Sequence, residues 1–199
     1  MTHCLGYYCF HQLIEVASEM KKLFSEIPTL EGNGITLGPV IESDAPALQE
    51  LMDNENVYRY LPTFLFEKRF EDARDAVNQF YGELFESKES LILGIREVGD
   101  GSFCGLAEFY GLRDDVHKIS IGYRLRESCW GHGVATRAVA LMVGYLYGQT
   151  DIEIITASTM VENYASARVL EKNDFIRTAR GVEEDWGFEL PTIADKWFC

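Results

Sequence analysis

The sequence predicts an α+β domain of layered α/β type, with one mixed central β-sheet flanked by helices. Three observations predict it. Apolar residues make up 47% and charged residues 25% of the 199 residues, enough to fill a core and unlike a disordered chain. The apolar spacing switches between period two and period three-to-four, in the order β-α-α-β-β-β-α-β-α-β-β. A strand over 118–125 also runs through a glycine-containing loop into a helix over 134–147.

Taken in order, residues 7–26 place Phe10, Leu13, Ile14, Ala17, Met20 and Phe24 on one helical face. Ile27-Pro28-Thr29 ends that helix, and Glu31-Gly32-Asn33-Gly34 reads as a linker. Residues 1–33 are therefore expected to form a helical appendage, whose face could pack on the domain or join two copies, and 34–199 the main domain. Ile35 to Val40 is a short strand, and Ser43 or Asp44 caps a helix with Pro46 in its first turn, running to about Asn54. A second helix spans roughly 69–86, with Phe70, Ala73, Val77, Phe80 and Leu84 on one face. Ser90 to Val98 and Phe103 to Gly111 are strands joined by a turn over 97–101, and Ile119, Ile121, Tyr123 and Leu125 alternate along the next strand. After the helix over 134–147 come a strand from Glu153 to Ser158, a helix over 163–173 and a strand from Phe175 to Glu184. A last, irregular strand from Trp186 to Phe198 completes the chain.

Charge narrows the function classes. Eighteen Lys and Arg against 32 Asp and Glu give a net charge of −14, which repels phosphate backbones and disfavours nucleic-acid binding. Small amines and basic protein segments fit that charge. The five cysteines (Cys4, Cys9, Cys104, Cys129, Cys199) are odd in number and contain no Cys-x-x-Cys, so neither a disulfide framework nor a zinc site is expected. The longest apolar run, Val139 to Tyr147, is far short of the ~20 residues that span a bilayer, and the first residues lack a cationic leader. A cytoplasmic enzyme or binding domain without metal or membrane contact is the expectation.

The informative stretch is Ile121-Gly122-Tyr123-Arg124-Leu125, then Ser128-Cys129-Trp130-Gly131-His132-Gly133-Val134-Ala135-Thr136. Glycines two apart permit positive φ and close backbone approach, and the helix start presents unpaired N–H groups; together these suit a phosphate group. The stretch is not a Walker loop, because it lacks the Gly-Lys-Ser/Thr ending, nor a dinucleotide fingerprint, because the third glycine and the ribose-binding acid are misplaced.

It does resemble the coenzyme A loop of GNAT N-acetyltransferases, in the branch of ribosomal-protein N-acetyltransferases, which writes Ile-Gly-Tyr, a gap, then Trp-Gly-x-Gly-x-Ala-Thr. Ser128 departs from the superfamily's looser pattern, as is common in that branch. A second block, Asn163, Ser166, Val169-Leu170-Glu171-Lys172 and Phe175, is similar to the branch's Asn-x-x-Ser…Val-Leu-Glu-Lys…Gly-Phe element. Asp174 replaces its glycine near a helix C-cap, where a left-handed conformation is wanted. The resemblance covers roughly 34–197.

The resemblance implies a sheet that splays open beside the strand 118–125 and holds acetyl-CoA, a co-substrate used without metal. The pantetheine arm would pair with the backbone of Tyr123, Arg124 and Leu125. The pyrophosphate would rest on the loop from Trp130, Gly131 and His132 through Gly133, Val134, Ala135 and Thr136. Asn163 would cap its helix and contact the pantetheine amide, and Ser166 would lie near the coenzyme sulfur as acid or hydrogen-bond donor. The acetyl group passes directly to an amine, so the amine must lose a proton. Alternation puts Leu106, Glu108 and Tyr110 on one strand face, making Glu108 the candidate base, with Glu183-Glu184-Asp185 as a competing acidic cluster. The segment equivalent to 55–68 walls the acceptor pocket in related enzymes. The acceptor implied is a cationic amine, either a protein N-terminus or a small molecule. A non-catalytic acyl-CoA-binding sensor is the alternative from another class.

Overall fold

The computed structural model describes residues 20–199. Its centre is one eight-stranded sheet in the order β1-β2-β3-β4-β5-β6-β8-β7, with β1 Leu30–Gly32, β2 Ile35–Gly38, β3 Ser90–Glu97, β4 Phe103–Arg113, β5 Lys118–Leu125, β6 Ile154–Met160, β7 Ile176–Glu184 and β8 Thr192–Phe198. All neighbours pair antiparallel except β5 and β6, which are parallel. The expected mixed sheet flanked by helices is therefore the fold observed.

Alternation along the strands builds two cores. On one face Leu93, Ile95, Phe109 and Ile119 pack with Val139, Met142 and Leu146 of the long helix Val134–Gln149. On the other, Ile92 and Leu106 pack with Leu48, Leu51 and Leu84. These come from α1 (Ala45–Met52) and from a helical run 73–86, which we label α3. Between these lies the single turn α2 (Glu55–Tyr58), and the long helix is α4. The last helix, α5, is Tyr164–Glu171.

Several elements differ from the sequence expectation. The stretch read as a linker, Glu31–Gly34, is the turn of a hairpin: Gly32 pairs with Ile35, and Asn33 and Gly34 take φ of 53° and 78°. Two consecutive positive φ values are those of a type I′ turn, which Asn-Gly favours. The boundary drawn at 33 thus falls inside a hairpin. Of the helix expected over 7–26, residues 7–19 lie outside the described residues; the remainder forms a β-bridge from Lys21 to Thr150 and the 3-10 turn Leu23–Ser25. Leu23 is buried in the first core, and Lys21 exchanges backbone hydrogen bonds with Gln149 and Asp151.

The helix expected from 69 begins at Ala73, because the Asp72 side chain accepts from Arg74 N at 2.8 Å and caps it there. It then passes through a π-helical stretch, Ala76–Phe80, before Tyr81–Glu86. The last strand is regular but shorter than expected. Residues 186–191 are a loop, in which Gly187 N donates to Asp185 Oδ1 at 2.9 Å.

Asp174 takes φ of 62°, the left-handed conformation expected at that position. Phe175 N reaches back to Leu170 O at 3.1 Å and closes the helix. A non-glycine residue there carries strain, so Asp174→Gly is expected to stabilise by about 0.5–1 kcal/mol. Urea denaturation checks this; unchanged or lower stability would show that aspartate is unstrained there.

Candidate active site

The site begins where the two parallel strands part. The β5–β6 pairing covers Lys118–Ser120 against Ile154–Thr156 only, ending in a contact of Ser120 Oγ with Thr156 Oγ1 at 2.9 Å. From Ile121 onward β5 has no strand partner on that side among the described residues, so the sheet opens into a wedge. The wedge lies in a cavity of 1210 Å³, lined by β5, the loop before α4, α5 and the 56–69 segment. Single small-ligand pockets are typically ~300–1,000 Å³, so this one has room for two substrates together.

At one end lies the glycine loop. Gly131 and Gly133 have φ of 78° and 75°, and a Cβ on either would meet no neighbour within 4 Å. Their conformation, not crowding, requires glycine. The Trp130 indole Nε1–H donates to Leu125 O at 2.9 Å and ties the loop to the end of β5. Gly131, His132 and Gly133 are exposed, and α4 starts at Val134, with Val134, Ala135 and Thr136 lining the cavity. Asn173 Nδ2 donates to Thr136 O and Val169 O, fixing the start of α4 to α5.

The middle of the wedge holds two hydroxyls. Asn163 Oδ1 accepts from Ser166 N at 3.1 Å, capping α5 and orienting its first turn. Ser166 Oγ lies 2.8 Å from the Tyr123 hydroxyl of β5. Burial pushes the Tyr123 phenol up to about 12, a rise that the Ser166 contact partly opposes.

The other end is charged and buried. Arg124 follows Tyr123 but points to the opposite sheet face, where it is 4% exposed. Its Nη1 donates to Glu108 Oε2 and its Nη2 to Glu67 Oε2, each at 2.8 Å, and its Nε also contacts Glu67 Oε1. Burial opposes the charge on Arg124, but Glu67 and Glu108 outweigh it and hold the guanidinium protonated. Ser90 donates to Glu108 Oε1 at 2.5 Å, and Tyr58 to Glu67 Oε1 at 3.0 Å. Burial, then Glu67, raises the Tyr58 phenol well above its usual range, so it stays a donor. The network fastens the 56–69 segment to the sheet.

Glu184 lies on the same cavity, held by Lys196 Nζ and by Trp186 Nε1 at 3.3 Å. Thr63 N and Oγ1 both donate to Trp186 O, clasping the 56–69 segment to the β7–β8 loop.

The sequence-predicted residues thus fall into two groups. Tyr123, Leu125, Trp130, Gly131, Gly133, Val134, Ala135, Thr136, Asn163 and Ser166 border the wedge, with His132 exposed within its loop. Arg124 also lines the cavity, with its side chain bound to Glu108 on the other face of β5. Glu67 escaped sequence reasoning, because its partner Arg124 is 57 residues away. A usable signal was Arg124 itself, a charge on an apolar strand, which needs a buried partner. Among the described residues no group of His, Cys, Asp and Glu is arranged to hold a metal ion, and no helix is long and apolar enough to cross a membrane.

Comparison with known proteins agrees with this geometry. The N-acetyltransferase YoaA of Bacillus subtilis, itself named as uncharacterized, is 25% identical over 170 residues, covering 84% of this chain and 93% of that protein. RimL, a ribosomal L7/L12 alpha-N-protein acetyltransferase solved with coenzyme A, superposes with a TM-score of 0.72 at 18% identity, over 86% of this chain and 97% of that one. A spermidine N-acetyltransferase from Vibrio cholerae, solved with CoA and spermine, gives 0.70 at 16% identity, over 84% and 96%. The two structural likenesses establish the fold. Residues 35–176 match the sequence profile of the acetyltransferase (GNAT) domain. With that match spanning most of its length, the chain belongs to the GNAT acetyltransferase family.

Proposed function

We propose that the protein transfers the acetyl group of acetyl-CoA directly to a primary amine, with the coenzyme in the wedge and the amine arriving from the Glu108 side. The parting of β5 and β6 after Ser120, beside a glycine loop at a helix start, carries this reading. The strand backbone at Tyr123, Arg124 and Leu125, along the edge beyond the β6 pairing, suits the pantetheine amides. The amides from Gly131 to Thr136 suit the pyrophosphate, with Trp130 bracing the loop and His132 beside it. Holding the thioester between two fixed contacts makes attack effectively intramolecular.

Ser166 is assigned as hydrogen-bond donor to the leaving sulfur, and Asn163 as the cap that aims it. Glu108 is assigned as proton acceptor for the amine. Ser90 and Arg124 each occupy one of its oxygens, and a carboxylate oxygen can accept two hydrogen bonds. One acceptor position per oxygen is left for an ammonium, or for a water carrying its proton. Two buried carboxylates facing one guanidinium leave this network net negative, which suits a cationic acceptor. The named substrates of the structural neighbours include both a ribosomal protein N-terminus and a polyamine, and the same charge suits either.

Thermal denaturation tests the coenzyme site. Acetyl-CoA at ~100-fold over its dissociation constant adds about 2.7 kcal/mol, a rise of roughly 5–10 °C for a chain of this size. In Gly131→Val a β-branched residue is forced to positive φ at the site of closest approach, and affinity should fall at least ~10-fold. No shift in the unmodified protein would end the coenzyme reading. An unchanged dissociation constant in the variant would end the assignment of this loop.

A further inference from the structure

We propose that Tyr123 is a positioning residue for catalysis: its phenol donates to Ser166 Oγ and leaves the seryl proton free to point at the coenzyme sulfur. This rests on the reading that Ser166 serves the leaving sulfur, and adds a residue behind it.

Three observations carry it. The two hydroxyl oxygens are 2.8 Å apart, across the wedge from β5 to α5. The other acceptor in reach of the phenol, at 3.5 Å, is the Ser166 carbonyl, so both its acceptors belong to one residue. The Ser166 backbone N–H is already bound by Asn163 Oδ1, which fixes the rotation of the turn carrying the hydroxyl. A serine hydroxyl has one proton and two acceptor positions. If the phenol donates, the seryl proton is free for a third group; if the serine donates to the phenol, it is not. The first arrangement supplies a donor where the thiolate forms. It also polarises the seryl O–H, because hydrogen bonds in a chain strengthen one another.

No proton needs to leave the tyrosine. As the amine nitrogen attacks, the carbon–sulfur bond breaks and its electron pair stays on sulfur, which accepts a hydrogen bond from Ser166 Oγ–H. The tyrosine keeps its proton throughout, consistent with burial holding the phenol near 12, well above a thiol.

The test is a double-mutant cycle with Tyr123→Phe and Ser166→Ala, reading kcat and KM for acetyl-CoA by thiol release. Phenylalanine keeps the ring, so the packing against the core is retained. In the unmodified background Tyr123→Phe should lower kcat about 3- to 10-fold, the worth of one hydrogen bond, with KM for acetyl-CoA within twofold. In the Ser166→Ala background the same change should alter kcat by less than twofold, because the relay is already broken. An equal loss in both backgrounds would overturn the proposal, since tyrosine would then act without serine. So would a loss confined to KM, or no loss at all. If Ser166→Ala alone leaves kcat unchanged, the assignment of Ser166 itself fails. If Ser166→Ala lowers kcat and Tyr123→Phe does not, only the positioning role falls.

Discussion

Replacing Arg124 with methionine is expected to destabilise the protein by about 3–5 kcal/mol, the usual cost of stripping a buried charge of its partner. Methionine keeps an unbranched stem and removes the charge. The Glu67 side chain is 0% and the Glu108 side chain 8% exposed, and without the guanidinium these two carboxylates would be left buried without their shared cation. The intact network need not be a net source of stability, because desolvating three charges offsets much of their attraction. The loss arises from the imbalance left behind. For a chain of this size it corresponds to roughly 6–20 °C in Tm.

One feature separates this account from simple loss of packing. Adding Glu67→Gln should recover part of the loss, by removing one of the two like charges. Chemical denaturation of both variants measures this. A loss under ~1 kcal/mol for Arg124→Met, or no recovery in the double variant, would show that water or rearrangement already solvates the pair.

How far the sequence disclosed this site depends on how local each part is. The strand–loop–helix unit over 118–147 was legible because its signals are contiguous: alternation in β5, glycines where φ must be positive, then helical spacing. Asn163 and Ser166 came from the family resemblance, and the structure places them as a cap and the first-turn residue it holds. The left-handed Asp174 was legible from its place at a helix end. The parting of β5 from β6 came from family resemblance alone, since nothing in either strand's pattern says where pairing stops. Glu67 was hidden because it sits in the short 3-10 turn Phe66–Arg69, and only the folded chain brings it to Arg124.

The hairpin at 30–38 shows a different failure. Asn33-Gly34 carries the turn signal, but β1 has only three residues, too few for alternation to register beside the Gly-rich stretch. The loop over 186–191 was misread for the opposite reason: Trp186 and Phe188 look like strand residues but serve the clasp with Thr63 and an exposed rim.

Glu108→Gln is expected to lower kcat about 100-fold near pH 6–7, the lower end of what a positioned general base contributes. The substitution keeps shape and leaves Ser90 an acceptor oxygen, so the fold should survive; the Arg124 contact weakens, but Glu67 still holds the guanidinium. The expected signature lies in the pH dependence. A base is needed while the acceptor is an ammonium ion, and becomes dispensable once solvent has removed that proton. An α-amine loses it near pH ~8 and an alkyl amine of the lysine kind near ~10.4. The deficit of the variant should therefore fade by about pH 8–9 if the acceptor is a protein N-terminus, and persist toward pH 10 if it is an alkyl amine. Initial rates of thiol release with a peptide and with a polyamine, from pH 6 to 10, read both outcomes together. A deficit constant across the range would make Glu108 a residue that orients the acceptor and would pass the proton to Glu184, another carboxylate on the cavity. Glu184→Gln should then carry the pH-dependent loss. In the proposed assignment, Glu184→Gln changes KM for the acceptor more than kcat, because its carboxylate lies at the rim, bound to Lys196 and Trp186.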